Sequence, residues 1–350
     1  MKGAEAIGEA AIRAGAKAYF CYPITPQTEV AEYLARRMPE VGGVFLQGES
    51  ELAVANMLFG AAATGARVFT STSSPGFSLM AEAMSYIAGA ELPVVFINVM
   101  RCGPGLGGVL AAQSDYWQAT RNSGHGDYRC PVLAPSSVQE AAELTLAAFE
   151  LADRYRNPVI VLADGMIGQM MEPVMLEGLA AGEPVEKPWA TQGCGGREPV
   201  VVKSLYLDPQ VLERMNRRLA EKYAKMQTDE VQVELYNVRE RHDLVVVAYG
   251  TMARICKTAI DRLGKEGLQV GLVRPITLFP FPVDAVHSAA RHSAAGVVTV
   301  ELSQGQMIDD VNLALGELGR SAFFGRSGGM VPTPDEVTRV FRDLVKRGAA

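Results

Sequence analysis

Cysteines are few in this sequence, and their spacing excludes the common cysteine-bound metal sites. Five cysteines occur in 350 residues, and no two of them form a C-x-x-C pair. Iron–sulfur clusters and structural zinc sites are usually held by such closely spaced thiols. If the protein transfers electrons, we therefore expect the clusters to lie on another chain. The scattered cysteines are typical of reduced thiols in a reducing compartment.

Long basic runs and long apolar runs are also lacking. The formal net charge is −6, and no Lys/Arg-rich stretch occurs, which argues against nucleic-acid and anionic-membrane partners. No apolar stretch approaches the roughly 20 residues of a membrane-spanning helix. Near the N-terminus, Glu5 and Glu9 interrupt any signal-peptide core. We therefore expect a cytoplasmic protein with no nucleic-acid partner and no membrane contact.

The sequence instead alternates short apolar segments with helical patterns. Strand-turn-helix units recur through residues 1–165, as at Ala18–Cys21 and Leu92–Met100, and predict a parallel sheet with helices on both faces. Residues 166–240 predict a linker with a helical arm from 208 to about 236. A second α/β unit is predicted over residues 241–350. The expected fold class is α/β, with two parallel-sheet domains.

The turn Tyr22-Pro-Ile-Thr-Pro26 follows the first predicted strand. Pro26 suits the first turn of a helix through about Arg37, with Thr25 as its N-cap. This arrangement would place the Thr25 hydroxyl at the carboxyl end of a strand, where α/β sheets bind ligands. The residues alone leave a simple cap and a ligand contact equally open.

Two carboxylates, Glu49 and Glu51, lie where a short strand becomes an Ala-rich helix. Acidic residues in a first turn are favoured by the free N–H groups and the helix dipole. Capping is therefore the simpler interpretation of both side chains. The alternative is that one of them faces a cleft and handles a proton, and helical periodicity does not distinguish the two.

A hydroxyl-rich loop at residues 71–76 and Arg101 also follow predicted strands. We expect both to converge with Thr25 and Glu51 at the carboxyl edge of the sheet. An arginine there is suited to bind a carboxylate in a bidentate pair, and the alternative is a surface salt bridge. The loop at 103–108 formally matches G-x-G-x-x-G, but it lacks the following strand and acid of a dinucleotide site.

Several motifs together resemble the α subunit of 2-oxoacid:ferredoxin oxidoreductases, in order along essentially the whole chain. They are Tyr22-Pro-Ile-Thr-Pro26, Glu49-Ser-Glu51, Thr70-Ser-Thr-Ser-Ser-Pro-Gly76, Asn98-Val-Met-Arg101 and Arg274-Pro-Ile-Thr-Leu-Phe-Pro280. Two further runs, at 103–107 and 124–129, are most similar to the branched-chain (2-oxoisovalerate, 3-methyl-2-oxobutanoate) type. The resemblance implies a thiamine diphosphate pyrimidine-binding domain followed by a transketolase C-terminal-like domain.

The same resemblance implies roles for individual residues. Counted from Gly60, Glu51 occupies the position of the family's catalytic glutamate, which bonds the aminopyrimidine ring and protonates its nitrogen. Glu49 is then a cap or a bystander. Thr25 and Arg101 match residues that hold the substrate carboxylate. The implied cofactor-binding residues are Tyr22, Pro23, Ile24, Glu51, Ser73 and Ser74, and no metal ligand is expected on this chain.

Partner chains are implied by what the sequence does not contain. The family binds the diphosphate and Mg²⁺ through a G-D-G…N motif, and no Gly-Asp-Gly occurs here. That half of the site is therefore expected on a β subunit, and [4Fe-4S] clusters are expected there or on γ and/or δ ferredoxin-like subunits.

The implied reaction is oxidative decarboxylation of a branched-chain 2-oxoacid with coenzyme A, giving acyl-CoA, CO₂ and reduced ferredoxin. The enzyme would be a hetero-oligomer of anaerobic metabolism, active only with its partner subunits. The alternatives are a 2-oxoglutarate- or pyruvate-specific member of the family, a carboligase or transketolase-like subunit, and a non-catalytic scaffold subunit.

Overall fold

The computed structural model describes residues 1–182 and 185–348, which form two α/β units, each built around its own sheet. The strands are β1 Ala18–Cys21, β2 Val44–Gln47, β3 Val68–Thr72, β4 Val94–Met100, β5 Val132–Leu133, β6 Pro158–Asp164, β7 Val233–Tyr236, β8 Leu244–Ala248, β9 Val270–Pro275, β10 Thr277–Phe279, β11 Val297–Glu301 and β12 Ala322–Gly325. The helices are α1 Gly3–Arg13, α2 Thr28–Glu40, α3 Glu51–Ala63, α4 Ser74–Leu79, α5 Ala81–Gly89, α6 Tyr116–Thr120, α7 Val138–Tyr155, α8 Gly165–Gln169, α9 Pro209–Asp229, α10 Gly250–Lys265, α11 Val283–Ala290, α12 Met307–Leu315 and α13 Pro334–Gly348, with a 3-10 turn at Gly316–Leu318.

The first sheet has seven strands in the order β10-β5-β6-β4-β3-β1-β2, and all but β10 are parallel to their neighbours. Every residue of β4 is buried because the strand lies between β3 and β6 with helices on both faces. This burial explains the nearly continuous apolar run that predicted the strand. The carboxyl ends of β1, β3 and β4 consequently lie at one edge of the sheet.

Among the described residues, the second sheet has five strands in the order β12-β11-β8-β9-β7, and only β7 is antiparallel to its neighbour. Its β8 is also fully buried. The predicted fold class of two α/β units is confirmed. Two strands that were not predicted, β7 and β10, run antiparallel to their neighbours at the edges of these sheets.

Strand pairing links the two units more closely than a simple linker would. Strand β10 follows β9 in sequence but pairs with β5 in the first sheet, with Thr277 opposite Leu133. Strand β7 lies inside the segment predicted as a linker, yet it pairs with β9 in the second sheet. These pairings do not define where one domain ends and the next begins. The predicted domain boundaries near residues 165 and 240 remain a prediction.

Two local predictions are wrong. Helix α2 begins at Thr28 rather than Pro26, and Thr25 does not cap it, since Gln27 occupies the N-cap position. The Thr25–Pro26 peptide bond is cis. The charged helical arm ends at Asp229, and Val233–Tyr236 is a strand rather than a continuation of the helix.

Helix α9 packs on the first unit of its own chain. Its buried face carries Leu219, Tyr223 and Met226, and these side chains join the main hydrophobic core. Because its charged residues are numerous, the sequence favoured a helix that is solvated or lies on a partner. The narrow apolar stripe at positions four and three apart instead identifies the packed face. Within the described residues, no helix is both long and apolar enough to cross a membrane.

Candidate active site

The structure separates the two acids at the start of α3. Ser50 is the N-cap, and its hydroxyl accepts a hydrogen bond from the Ala53 amide at 3.2 Å. Glu51, the first residue of the helix, is only 5% exposed, whereas Glu49 is exposed. Among the described residues, none donates a hydrogen bond to the Glu51 carboxylate. Capping is therefore performed by Ser50, and the buried carboxyl group of Glu51 is left without a protein partner.

The Glu51 carboxylate lies directly against the start of α4. A Cβ atom at Gly76 would lie 2.5 Å from Glu51 Oε1 and would also collide with the Thr72 hydroxyl. Within the part of the chain that the structure describes, the buried hydroxyls of Thr72 and Ser73 have no hydrogen-bond partner. Buried polar groups usually find partners, so these two unpaired hydroxyls next to the Glu51 carboxylate indicate a site for a polar ligand.

Ser74 belongs to a different part of the site. Its hydroxyl donates to Asp115 Oδ2 at 2.5 Å and accepts from the Arg101 amide at 3.0 Å. The Asn98 side chain donates to the same Asp115 oxygen at 2.9 Å, and Asn98 Oδ1 accepts from the Ser74 amide at 3.1 Å. Ser73 and Ser74, which were predicted to act together, therefore have different surroundings.

Asp115 was missed by sequence reasoning. Its carboxylate is buried, and burial raises its pKa, while the hydrogen bonds from Ser74 and Asn98 and the charge of Arg101 oppose that rise. Asn98 lies inside the Asn98–Arg101 motif that supports the family resemblance, so the sequence did contain a signal that could have identified it as a site residue. Asp115 precedes a short helix in an irregular stretch, where no local pattern distinguishes it from a surface acid.

Arg101 is 91% buried, and it contacts two loops through its terminal nitrogens. Nη1 donates to the main-chain oxygen of Thr25 and Nη2 to that of Leu106, each at 3.0 Å. Its Nε is buried, and no atom of residues 1–182 or 185–348 accepts a hydrogen bond from it. Within the described residues, Arg101 forms no salt bridge with an acidic side chain. The structure thus brings Arg101 and Thr25 together, and it does not support the alternative of a surface salt bridge.

The turn at residues 22–25 is held in place by a series of hydrogen bonds between buried side chains. Gln27 donates to the main-chain oxygen of Tyr22 at 3.1 Å and accepts from the Ser71 hydroxyl at 2.7 Å. Ser71 in turn lies 2.6 Å from the Tyr19 hydroxyl. Sequence reasoning missed Gln27, because a glutamine at a helix start is ordinarily a surface residue. Tyr22, Pro23 and Thr25 are exposed, and Ile24 is half-buried.

Two family models match consecutive parts of the chain. Residues 9–245 match the family described as pyruvate flavodoxin/ferredoxin oxidoreductase, thiamine diphosphate-binding. Residues 242–337 match pyruvate:ferredoxin oxidoreductase core domain II. The chain therefore belongs to the 2-oxoacid:ferredoxin oxidoreductase family, and its first unit is of the thiamine diphosphate-binding kind. The family resemblance drawn from the sequence motifs is confirmed.

The chain is similar to relatives of nearly the same length, which are named as subunits of enzymes for two different substrates. Ketoisovalerate oxidoreductase subunit VorB of Methanothermobacter marburgensis is 45% identical over 98% of this chain and 97% of its own length. The VorB subunit of Methanothermobacter thermautotrophicus is 48% identical over 90% and 89%. The 2-oxoglutarate synthase subunit KorA of Methanocaldococcus jannaschii is 34% identical over 97% and 98%. The chain is accordingly similar to oxidoreductase subunits along its whole length.

Solved structures show the same architecture. The 2-oxoglutarate:ferredoxin oxidoreductase from Magnetococcus marinus, with 2-oxoglutarate, coenzyme A and succinyl-CoA bound, superposes with a TM-score of 0.88 at 26% identity. The match covers 99% of this chain and 65% of that longer chain. A split-gene transketolase, covered over 98% of its length, has a TM-score of 0.59 at 16% identity and shares the fold alone.

Proposed function

We propose that this chain is the α subunit of an oxidoreductase that decarboxylates a branched-chain 2-oxoacid of the 2-oxoisovalerate kind, forms its acyl-CoA and reduces ferredoxin. The higher identity to two ketoisovalerate subunits than to a 2-oxoglutarate subunit supports this substrate class. The observation that carries the catalytic assignment is the largely buried Glu51 side chain, which accepts no hydrogen bond from the described residues and lies beside the unpaired hydroxyls of Thr72 and Ser73.

These residues fit the pyrimidine end of thiamine diphosphate. Bound thiamine diphosphate supplies a carbon nucleophile and an electron sink for the loss of CO₂. Glu51 would hold a proton on the pyrimidine ring nitrogen, which is the task of a general acid–base group in a water-poor cleft. Thr72 and Ser73 would supply the hydroxyls that this ring needs for its other polar atoms, and Tyr22, Pro23 and Ile24 would line it. Ser74, engaged with Asp115, would act from further away.

Arg101 and Thr25 form the candidate site for the substrate carboxylate. The Arg101 guanidinium has a buried Nε–H group that is bound by no described residue. A guanidinium with free donors is well suited to bind a carboxylate. Because its Nη1 is fixed on the Thr25 main chain, the Thr25 hydroxyl would be presented close to the same anion.

The remaining parts of the enzyme would come from partner subunits. This sequence has no Gly-Asp-Gly run for a diphosphate and Mg²⁺. Among the described residues, no group of three or more His, Cys, Asp or Glu side chains is placed to hold a metal ion. A β subunit would complete the cofactor site, and γ or δ subunits would carry [4Fe-4S] clusters. Exposed apolar side chains near the site, including Leu79, Leu106, Leu110 and Trp117, suit such a partner.

The proposal is tested by an anaerobic assay of the complete complex with coenzyme A, a viologen acceptor and a panel of 2-oxoacids. We expect the highest kcat/KM with 2-oxoisovalerate and formation of its acyl-CoA. A preference for 2-oxoglutarate or pyruvate would overturn the substrate class while leaving the family unchanged. Carbon–carbon bond formation without reduction of the acceptor would instead favour a carboligase.

A further inference from the structure

The segment at residues 113–117 crosses from the candidate active site to the second unit. On one side, Asp115 holds the Ser74 hydroxyl and the Asn98 amide, and Ser74 holds the Arg101 amide. On the other side, the same segment hydrogen-bonds to residues of the second unit that follow β8 and β11, and the Tyr116 hydroxyl donates to Asp310 at 2.5 Å. Gln113 also reaches Asp164 of the first unit, at 3.5 Å. The position of the segment therefore depends largely on the second unit.

Gln113 fixes the start of this segment. It is fully buried, and its main-chain amide donates to the Leu302 oxygen at 2.8 Å. Its side-chain oxygen accepts from the Leu302 amide at 3.0 Å, and its side-chain nitrogen donates to the Tyr249 oxygen at 2.9 Å. Three hydrogen bonds at one residue leave the segment little freedom at this end.

Gln306 fixes the rest of the segment. Its side-chain nitrogen donates to the Ser114 oxygen at 2.7 Å, and its side-chain oxygen accepts from the Trp117 amide at 2.9 Å. The Trp117 indole N–H donates to the Gln306 main-chain oxygen at 3.1 Å. Gln306 therefore contacts the residue before Asp115 and the second residue after it.

Glu301 fixes Gln306 in turn. This fully buried carboxylate, at the end of β11, accepts hydrogen bonds from the amides of Gln306, Met307 and Ile308, each at 3.0 Å. These are the free N–H groups at the start of α12, where a carboxylate is stabilised by both hydrogen bonds and the helix dipole. The hydrogen bonds to Glu301 thus fix the main chain of Gln306 within the second unit.

We propose that Gln306 is a positioning residue of the active site, which acts from the second unit through Ser114, Trp117 and Asp115 to hold Ser74 and Arg101 in place. This role rests on the proposed function of Arg101 as the receptor of the substrate carboxylate. Among the described residues, Gln306 has no hydrogen bond to Arg101 and therefore acts through the intervening segment. In this role it fixes the position of the Arg101 main chain. From that position the guanidinium reaches the main-chain oxygens of Thr25 and Leu106.

The test compares Gln306→Ala with Arg254→Ala in the complete complex. Arg254 also joins the two units by two hydrogen bonds, to the Ser136 oxygen and to Glu172, but it does not contact residues 113–117. For Gln306→Ala we expect the KM for 2-oxoacid to rise about tenfold, equivalent to about 1.4 kcal/mol, with kcat within about twofold of the wild type. Arg254→Ala is expected to leave both constants unchanged.

Hydrogen exchange measured by mass spectrometry gives a second readout. Gln306→Ala should speed amide exchange in peptides covering residues 72–78 and 98–102, and Arg254→Ala should not. Gln306→Glu keeps the acceptor for the Trp117 amide but sets a carboxylate oxygen against the Ser114 oxygen, so its KM should rise at least as much as that of Gln306→Ala. This second variant also decides the question if Gln306→Ala does not fold.

The outcomes separate this inference from the proposed function. Unchanged KM and unchanged exchange in Gln306→Ala would overturn the positioning role. An equal KM increase in Arg254→Ala would also overturn it, because general weakening of the contact between units would then explain the effect. If Arg101→Ala leaves KM unchanged while Gln306→Ala still speeds exchange near Arg101, the carboxylate role fails and the structural coupling stands.

Discussion

The Arg101 guanidinium donates a hydrogen bond to the main-chain oxygen of Thr25 at 3.0 Å, which joins the loop after β4 to the loop after β1. Between these two strands in the sheet lies β3, which ends at Thr72 and is followed by Ser73 and Ser74. The three loops therefore form one continuous surface at the carboxyl edge of the first sheet. Glu51 reaches the same surface from the start of α3, beside Gly76.

Replacement of Arg101 by alanine is expected to raise the KM for 2-oxoacid by about 10- to 100-fold, because a hydrogen-bonded charge is worth about 1.5–3 kcal/mol. Steady-state kinetics of the complex measure this change. Arg101→Lys keeps the charge but cannot reach Thr25, Leu106 and the substrate together, so it should restore KM only in part. An unchanged KM in Arg101→Ala would exclude the carboxylate role.

Replacement of Glu51 by glutamine is expected to lower kcat by about 10²- to 10⁴-fold, since the pyrimidine nitrogen would lose its proton donor while the side-chain shape is kept. Subunit assembly should be retained, as measured by size-exclusion chromatography. Glu49→Gln is the matched control, because Glu49 is exposed in the same turn of chain. Near-normal activity in Glu51→Gln would favour the scaffold alternative.

Replacement of Gly76 by alanine is expected to weaken thiamine diphosphate binding by about tenfold or more, because the new methyl group would displace the Glu51 carboxylate. Calorimetric titration of the complex with the cofactor measures this loss. Gly264→Ala is the control, since a Cβ atom there meets nothing within 4 Å. Equal cofactor affinity in the two variants would show that the space at Gly76 is not needed.

Lys222 provides a prediction about stability and pH. Burial lowers its pKa from 10.5 to about 8, although Glu91 opposes this shift, and the charges of Arg156 and Arg218 add to it. The unfolded chain then binds more protons than the folded chain between these two values. The free energy of unfolding contributed by Lys222 should therefore rise as the pH increases from about 8 to about 10.5.

Thermal unfolding of the wild type and Lys222→Met across this pH window checks the sign. The stability of the wild type relative to Lys222→Met should increase with pH, because the cost of burying the ammonium group disappears as it loses its proton. Lys225→Met removes an exposed lysine from the same helix and serves as the control. Parallel pH profiles for the wild type and Lys222→Met would contradict the prediction.

Local sequence pattern was sufficient for most of the fold. The apolar run of β4 identified a strand buried on both faces, and the order of strands and helices identified two α/β units. Since parallel strands end at one edge, the pattern also predicted that Thr25, Glu51 and Arg101 would converge. Local pattern failed at β10, because the choice between a loop and a strand there depends on the distant partner β5.

The sequence by itself determined the architecture, the family and the set of polar residues at the sheet edge, because these follow from periodicity and from short motifs. Only the tertiary structure decided which acid is buried and which hydroxyls are left unpaired. It also decided that Asp115 and Gln306 are connected to Arg101 through hydrogen bonds. The physical reason is that side-chain direction and loop path are set by packing between segments far apart in sequence, as when Gly76 of α4 makes room for Glu51 of α3.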